Sequence, residues 1–187
     1  RSLFKMINKA KIIDIRINNK NLRYKISNTF SKHLIGETIS DISRRSKYII
    51  FHFKKKLLLI HLGMSGKLLL MKSQDKAIFK TSFYYDLNII QKHNHIYFVL
   101  NNGLVLIYND VRRFGFLKLY NTTCLNKIKF IKKLGQEPFS RKFDIKYFEK
   151  FVQNRKKSIK NLLMDQTFVS GLGNIYVNEV LFLSKIK

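Results

Sequence analysis

The chain has 187 residues, 45% of them apolar and 13% aromatic, which is enough to bury a core and excludes a disordered polymer. Lysine and arginine number 37 against 11 acidic residues, a formal charge of +26 that suits a polyanion such as nucleic acid, or an anionic surface. Apolar runs such as Leu57–Ile60 and Tyr97–Leu100 fall far short of the roughly 20 residues a transmembrane helix needs. Part of the lysine excess has a simpler source. The 28 Lys, 23 Ile and 16 Asn against 9 Arg are what A/T-rich codons produce. A single Cys124 excludes an internal disulfide.

In chain order, Ile12–Ile17 and Leu22–Ile26 alternate apolar with polar residues around Asn18, Asn19 and Asn21, which predicts two strands and a turn. The stretch from Ile39 to Phe53 is rich in β-branched and aromatic residues and also reads as strand. Leu57–His61 and Leu68–Met71 flank the break Gly63-Met64-Ser65-Gly66. His95–Leu100 and Leu104–Tyr108 are joined by Asn101-Asn102-Gly103, a hairpin signal because these residues accept positive φ. Gly115–Tyr120 supplies one more strand.

Beyond Tyr120 the apolar period changes. Leu125, Ile128, Ile131 and Leu134 recur at three, and Gly135 follows as a helix stop. Ile145, Phe148, Phe151 and Val152 form a second helical stripe, and Ile159, Leu162, Leu163 and Met164 a third. Asn174 stands at the N-cap position of a fourth, Ile175–Leu183. A domain boundary is expected near residue 121, between a strand-rich part (1–120) and a helical part (121–187). The first holds 23 basic and 6 acidic residues, or +17, and the second 14 and 5, or +9, so no single tail carries the charge. The chain opens on Arg1 and closes within an apolar helical pattern at Val180–Lys187, so a fragment is expected. In that case Val177, Leu181 and Phe182 are expected to lie on faces without a partner.

Several short segments stand out chemically. Asp110-Val111-Arg112-Arg113-Phe114-Gly115 sets two arginines and an aromatic at a strand–loop junction. Such arginines either grip phosphates through their planar forks or sit in a solvated turn. Met64, between glycines, is either a core filler or an apolar wedge of the kind that opens base steps. Lys92-His93-Asn94-His95 is too sparse for a metal site and suits a phosphate contact or an exposed loop. Lys47, after Arg44-Arg45-Ser46, has cationic neighbours that lower an amine's pKa and fit it for proton transfer or amine chemistry. Gly171-Leu172-Gly173-Asn174 lacks the Lys-Ser/Thr of a P-loop, which leaves a sharp turn into a helix N-terminus able to hold a phosphate.

Taken together and in order, Arg44–Tyr48, His61–Gly66, Lys92–His95, Asp110–Gly115, Leu134–Pro138 and the run from Leu163 through Asn174 to Phe182 resemble the bacterial formamidopyrimidine-DNA glycosylases. The resemblance implies an α+β chain: an N-terminal antiparallel β-sandwich over 1–120, then a helix–two-turn–helix domain from 121, incomplete at 187. In the family a C-terminal zinc finger follows, and DNA lies between the domains. The implied activity is removal of oxidised purines, 8-oxoguanine and formamidopyrimidines, with β,δ-elimination at the abasic site. Lys47 matches the sandwich lysine that donates a proton in the elimination. Met64, Arg112 and Phe114 match the residues that fill the gap left by the everted base. His93, Arg112 and Arg155 match DNA-contacting positions, and Asn174 matches the asparagine that holds phosphate beside the lesion. The implied partner is double-stranded DNA bearing oxidised purines or abasic sites, with no membrane involvement, a monomeric state and a cytoplasmic, nucleoid-associated location.

This sequence departs from the family pattern at several points. The family's nucleophile is an N-terminal proline beside a glutamate, whereas the one proline here is Pro138. The four cysteines of the finger are likewise not among these residues, so zinc belongs to the full-length family member only. Val111 stands where the family usually has proline, and Asn94 replaces an aspartate. Three readings stay open: part of a functional glycosylase/lyase, a non-catalytic DNA-binding remnant of one, or an endonuclease VIII-like relative acting on oxidised pyrimidines.

Overall fold

The computed structural model describes residues 2–72, 78–79 and 90–186. Their strands are β1 (Ile12–Ile17), β2 (Asp41–Arg45), β3 (Tyr48–His52), β4 (Lys56–His61), β5 (Gly66–Lys72), β6 (Ile78–Phe79), β7 (Asn94–Leu100), β8 (Leu104–Asp110) and β9 (Phe116–Asn121). The helices are α1 (Ser2–Ile7), α2 (Phe30–Leu34), α3 (Lys129–Lys132), α4 (Ile145–Val152), α5 (Ile159–Met164) and α6 (Asn174–Leu183). The chain divides into two compact units, Arg1–Arg44 with Tyr48–Cys124, and Arg45–Lys47 with Leu125–Lys187.

The first unit holds two antiparallel sheets, ordered β1-β7-β8-β5-β6 and β2-β3-β4-β9. Their inner faces share one core: Ile12, Ile96, Phe98, Leu106 and Leu70 from one sheet meet Phe51, Leu58, Ile60 and Leu117 from the other. This is a β-sandwich; in β1 a bulge between Ile12 and Asp14 turns Ile12 and Ile15 inward and leaves Ile13 exposed, where strict alternation would have paired Ile13 with Ile15. The β7–β8 hairpin turns at 101–103 with Gly103 at φ +76. Asn101 Oδ1 accepts from the Lys11 amide at 2.8 Å and ties that turn to the start of β1. Register then fixes what lies at the far end of the larger sheet. Gly66 opens β5 opposite Asp110, and Asn94 opens β7 opposite Asn109, so the loops after β4, before β7 and after β8 gather at one edge.

Leu22–Ile26 is not a strand. Asn19 Oδ1 accepts from the Asn21 amide and the Ile26 amide donates to the Lys20 carbonyl, closing a loop with only an isolated Asn21–Lys25 bridge. Asparagine's local hydrogen bonds outcompete the ladder there, while Leu22 and Ile26 still reach the core.

The helical unit packs around Phe168. The Phe151 ring stacks on it at 4.0 Å, and Phe148 and Tyr147 follow at 5.5 and 5.7 Å. Leu162, Leu163, Val169, Val177 and Leu181 complete the core. Asp144 caps α4 by accepting from the Tyr147 amide at 2.8 Å, and Ser158 caps α5. Three expectations need correction here. The stripe from Leu125 to Leu134 is not one helix, because Ile128 is extended and buried, and splits it into a 3-10 turn (Thr122–Lys127) and α3. Gly135 is not a helix stop. It is a close-approach glycine whose amide donates to the Gln166 carbonyl, and a Cβ there would run into the carbonyls of Thr167 and Phe168. Val177 and Leu181 are buried at 0% and 9% exposure, so only Phe182, at 78%, bears out the expected unpartnered face, together with Ile175, Tyr176 and Leu183.

Truncating Leu162 to alanine should cost the helical unit about 2–5 kcal/mol, through lost contact and a residual cavity. Phe182→Ala should stay within about 0.5 kcal/mol in this chain. Urea titration followed by amide exchange within 145–183 checks the contrast, and equal costs would contradict this description of the core.

Candidate nucleic-acid interface

At the sheet edge of the first unit, three exposed side chains of the kind that enter DNA sit on a rigid base. Met64 is 71% exposed, Phe114 46%, and the Arg112 guanidinium lies 4.5 Å over the Phe114 ring. Beneath them Asp110 is fully buried. Its Oδ1 accepts from Ser65 Oγ at 2.6 Å, and its Oδ2 accepts from the Gly115 amide at 2.8 Å and the Tyr108 hydroxyl at 3.1 Å. Burial, and secondarily the Asp110 charge, pushes the Tyr108 phenol well above its ordinary range, so it stays a donor. The Ser65 hydroxyl also accepts from the Arg112 amide at 3.0 Å. Gly63 has φ +65, and a Cβ there would stand 2.7 Å from the Gly115 nitrogen, so the two loops touch backbone to backbone. Arg113, at φ +57, holds the sharp turn between Arg112 and Phe114. His93 ends a 3-10 turn (Gln91–His93) leading into β7, at this same edge, where Asn94 Oδ1 accepts from Asn109 Nδ2 at 2.7 Å.

In the second unit the segment Arg45–Lys47 is clamped by side chains far away in sequence. Arg45 pairs with Glu137 at 3.2 Å and donates to Ser170 Oγ at 2.9 Å and the Gly135 carbonyl at 2.7 Å. Glu137 also accepts from the Ser46 amide at 2.7 Å, with Ser46 in the left-handed region at φ +55. Gln166 shapes the approach to α6, accepting from the Gly171 amide and donating to the Leu172 carbonyl. The result is that Lys47 stands beside the start of α6. A methyl group at Gly173 would sit 3.5 Å from its Nζ.

That helix start is open. Gly173, not Asn174, is the N-cap, and no side chain caps it. The expected cap is displaced by one residue, because the Val177 amide bonds to the Gly173 carbonyl and makes Asn174 the first helical residue. Free amides and the positive end of the helix therefore lie next to a lysine amine, an arrangement that calls for an anion. Burial lowers the Lys47 amine below its ordinary value of 10.5. Arg155, also in this unit, has its guanidinium 4.9 Å over Phe151. Asp165 is held below the usual carboxylate range, first by its hydrogen bond from Thr167, with Lys157 and Arg155 adding to it.

The fold thus gathers Met64, Arg112, Phe114 and His93 at one edge of the first unit and Lys47 with the start of α6 in the second, the unit that also holds Arg155. Reasoning from sequence missed Ser65, Asp110, Arg45, Glu137 and Gln166 as organisers. The available signal was that acids are scarce, and that four of the eleven, Asp110, Glu137, Asp165 and Glu179, fall inside the singled-out segments. Among the described residues no group of three or more His, Cys, Asp or Glu is placed to hold a metal ion, and no helix is long and apolar enough to cross a membrane.

The family model for the formamidopyrimidine-DNA glycosylase N-terminal domain matches residues 1–117, and that for the formamidopyrimidine-DNA glycosylase H2TH domain matches 134–187. The chain belongs to the formamidopyrimidine-DNA glycosylase family. Among its relatives, formamidopyrimidine-DNA glycosylase of Bartonella tribocorum is 40% identical over 191 residues, covering 100% of this chain and 64% of the relative. That of Rickettsia massiliae is 39% identical over 174 residues, covering 92% and 57%. The chain therefore spans less than two thirds of the length of these glycosylases. Lactococcus lactis Fpg, solved in complex with DNA containing an abasic site, superposes with a TM-score of 0.85 at 37% identity, covering 100% of this chain and 64% of that one. The same enzyme with Fapy-dG containing DNA gives 0.85 and 37%, covering 100% and 66%.

Because the native state disfavours the Lys47 ammonium, it releases that proton before the unfolded chain does. This group therefore adds stability as pH rises from its folded pKa towards 10.5. In a titration of carbon-13 dimethylated lysines by NMR, the resonance lost in Lys47→Arg should titrate below the exposed lysines. A midpoint among or above them would contradict the burial.

Proposed function

We propose that this chain is the sandwich (1–120) and helix–two-turn–helix (121–187) portion of a bifunctional DNA glycosylase/lyase of base-excision repair. Its substrate is double-stranded DNA carrying oxidised purines, and it nicks the resulting abasic strand by β,δ-elimination. The observation that carries this reading is the uncapped start of α6 with the Lys47 amine beside it. Family membership and the abasic-site DNA bound by the Lactococcus lactis relative support it. A location in the cytoplasm, at the nucleoid while acting, and a monomeric state go with this reading.

The residues divide the work. Taking a base out of the stack costs a few kcal/mol. Met64 and Phe114 replace the lost stacking, and Arg112 meets the unpaired base opposite. His93, Arg112, Arg155 and the Asn174 turn hold phosphates of the kinked backbone. Lys47, with its pKa lowered, is the better acid near neutral pH and delivers a proton during elimination. In its neutral form the same amine is a nucleophile towards the C1′ of a preformed abasic sugar. It forms a Schiff base, losing water from that aldehyde carbon. The secondary amine that the family uses for base removal, an N-terminal proline, is not among these 187 residues. Zinc, in this reading, belongs to a C-terminal finger of the full-length enzyme, has a structural role, and takes no part in these steps.

With borohydride on an 8-oxoguanine duplex, the 187-residue chain should trap little covalent adduct, and on a preformed abasic site it should nick slowly, a reaction lost in Lys47→Ala. Adduct formation as fast as that of a full-length family member would overturn this assignment of roles. Affinity for duplex should also fall linearly in log–log salt plots, with a slope of about −0.9 per phosphate held. Arg112→Ala should weaken abasic and intact duplex unequally, and equal losses would reduce Arg112 to a generic cation.

A further inference from the structure

We propose that Ser65 and Asp110, which touch no DNA in this reading, are positioning residues that couple the two loops of the gap-filling wedge. Preference for a duplex with a missing base then depends on a buried joint as well as on the exposed side chains. The inference rests on the proposed role of Met64, Arg112 and Phe114.

A wedge acts only if it resists being pushed back. Met64 and Arg112 are long, exposed side chains with several rotamers, so resistance has to come from the backbone below them. That backbone belongs to two loops 45 or more residues apart, and one carboxylate grips both. Asp110 Oδ1 holds the Met64 loop through Ser65, and Oδ2 holds the Phe114 end through the Gly115 amide. Ser65 closes the link in the other direction, since its hydroxyl accepts from the Arg112 amide while donating to Asp110. One hydroxyl thereby connects the neighbour of Met64 to Arg112 itself. Close backbone contact at Gly63 and Gly115 leaves no slack between the loops, and the left-handed Arg113 is kept in place by hydrogen bonds on either side of it.

Chemistry explains why the group is a carboxylate. Three donors converge on Asp110, and a buried acceptor-only group satisfies all three. An amide at this position offers one acceptor oxygen and places its own N–H groups against a donor. Because Asp110 is fully buried, a partner lost there leaves a carboxylate oxygen uncompensated, so the arrangement has one satisfied form rather than several. Removing the Ser65 hydroxyl leaves every wedge side chain present but unpairs both the Arg112 amide and Oδ1.

The test compares binding of a tetrahydrofuran abasic-site duplex with an intact duplex at one salt concentration, using the full chain. Met64→Ala sets the ratio of a broken wedge. Ser65→Ala should lower the ratio of affinities by about tenfold towards that value, the size expected for one or two net hydrogen bonds. Ser65→Thr, which keeps the hydroxyl, should stay within about twofold of the parent, and a folded Asp110→Asn should behave like Ser65→Ala. A defect of folding alone would weaken both duplexes together and spare the ratio, which would count against the joint. If Met64→Ala lowers the ratio and Ser65→Ala does not, the joint is overturned while the wedge stands. If Met64→Ala leaves the ratio unchanged, the wedge reading falls and the joint with it.

Discussion

A carboxylate drawn out of water, wholly as at Asp110 or partly as at Glu137, has to be met by donors, and that requirement organises both units of this protein. Asp110 is met by a serine hydroxyl, a tyrosine hydroxyl and a backbone amide, and in satisfying it the chain brings two distant loops into one structure. Glu137 plays the same part in the helical unit. It accepts from the Ser46 amide and pairs with Arg45, so that Lys47 is carried on a fixed turn. Arginine suits that position because its fork reaches Glu137, Ser170 and the Gly135 carbonyl at once, which a lysine in its place would not do. In a chain of formal charge +26 with only 11 acidic residues, these two carboxylates are held by partners within the protein.

The electrostatic design of the Lys47 site follows from the same economy of acids. Burial disfavours the Lys47 ammonium, and the amine stands beside the positive end of a helix. The site is therefore built for something negative to arrive, and it is poised so that the amine gives up its proton more readily than an ordinary lysine. Strain of this kind persists because Arg45, Glu137 and Gln166 over-determine the backbone around it.

The α+β class was legible in the sequence because period two and period three separate cleanly along it. The strands β4, β5, β7, β8 and β9 lie where the apolar runs and the Asn101-Asn102-Gly103 turn put them, while the short β6 was not foreseen. Leu22–Ile26 misled because its alternation is real but its asparagines close a loop first. Leu125–Leu134 misled because one buried, extended Ile128 breaks a helix whose period is otherwise correct. The motif segments were visible as residue types, but the groups that organise them were not. Asp110 meets Ser65 across 45 residues, and Glu137 meets Ser46 across 91. Such pairings depend on strand register and on the packing of the helical unit, which local pattern does not encode.

In the function proposed for this chain, the exposed apolar group at the end of the larger sheet enters the DNA stack where a base is missing. Methyl-labelled methionine NMR tests it directly, since Met6, Met64, Met71 and Met164 are four reporters at four places. On adding a duplex with one abasic site, the Met64 methyl should shift and show NOEs to the bases flanking the gap, while Met6 and Met71 stay where they were. A Met64 methyl unchanged by that duplex, with perturbation confined to lysine and arginine resonances, would contradict the account and leave only a cation-driven hold on the backbone.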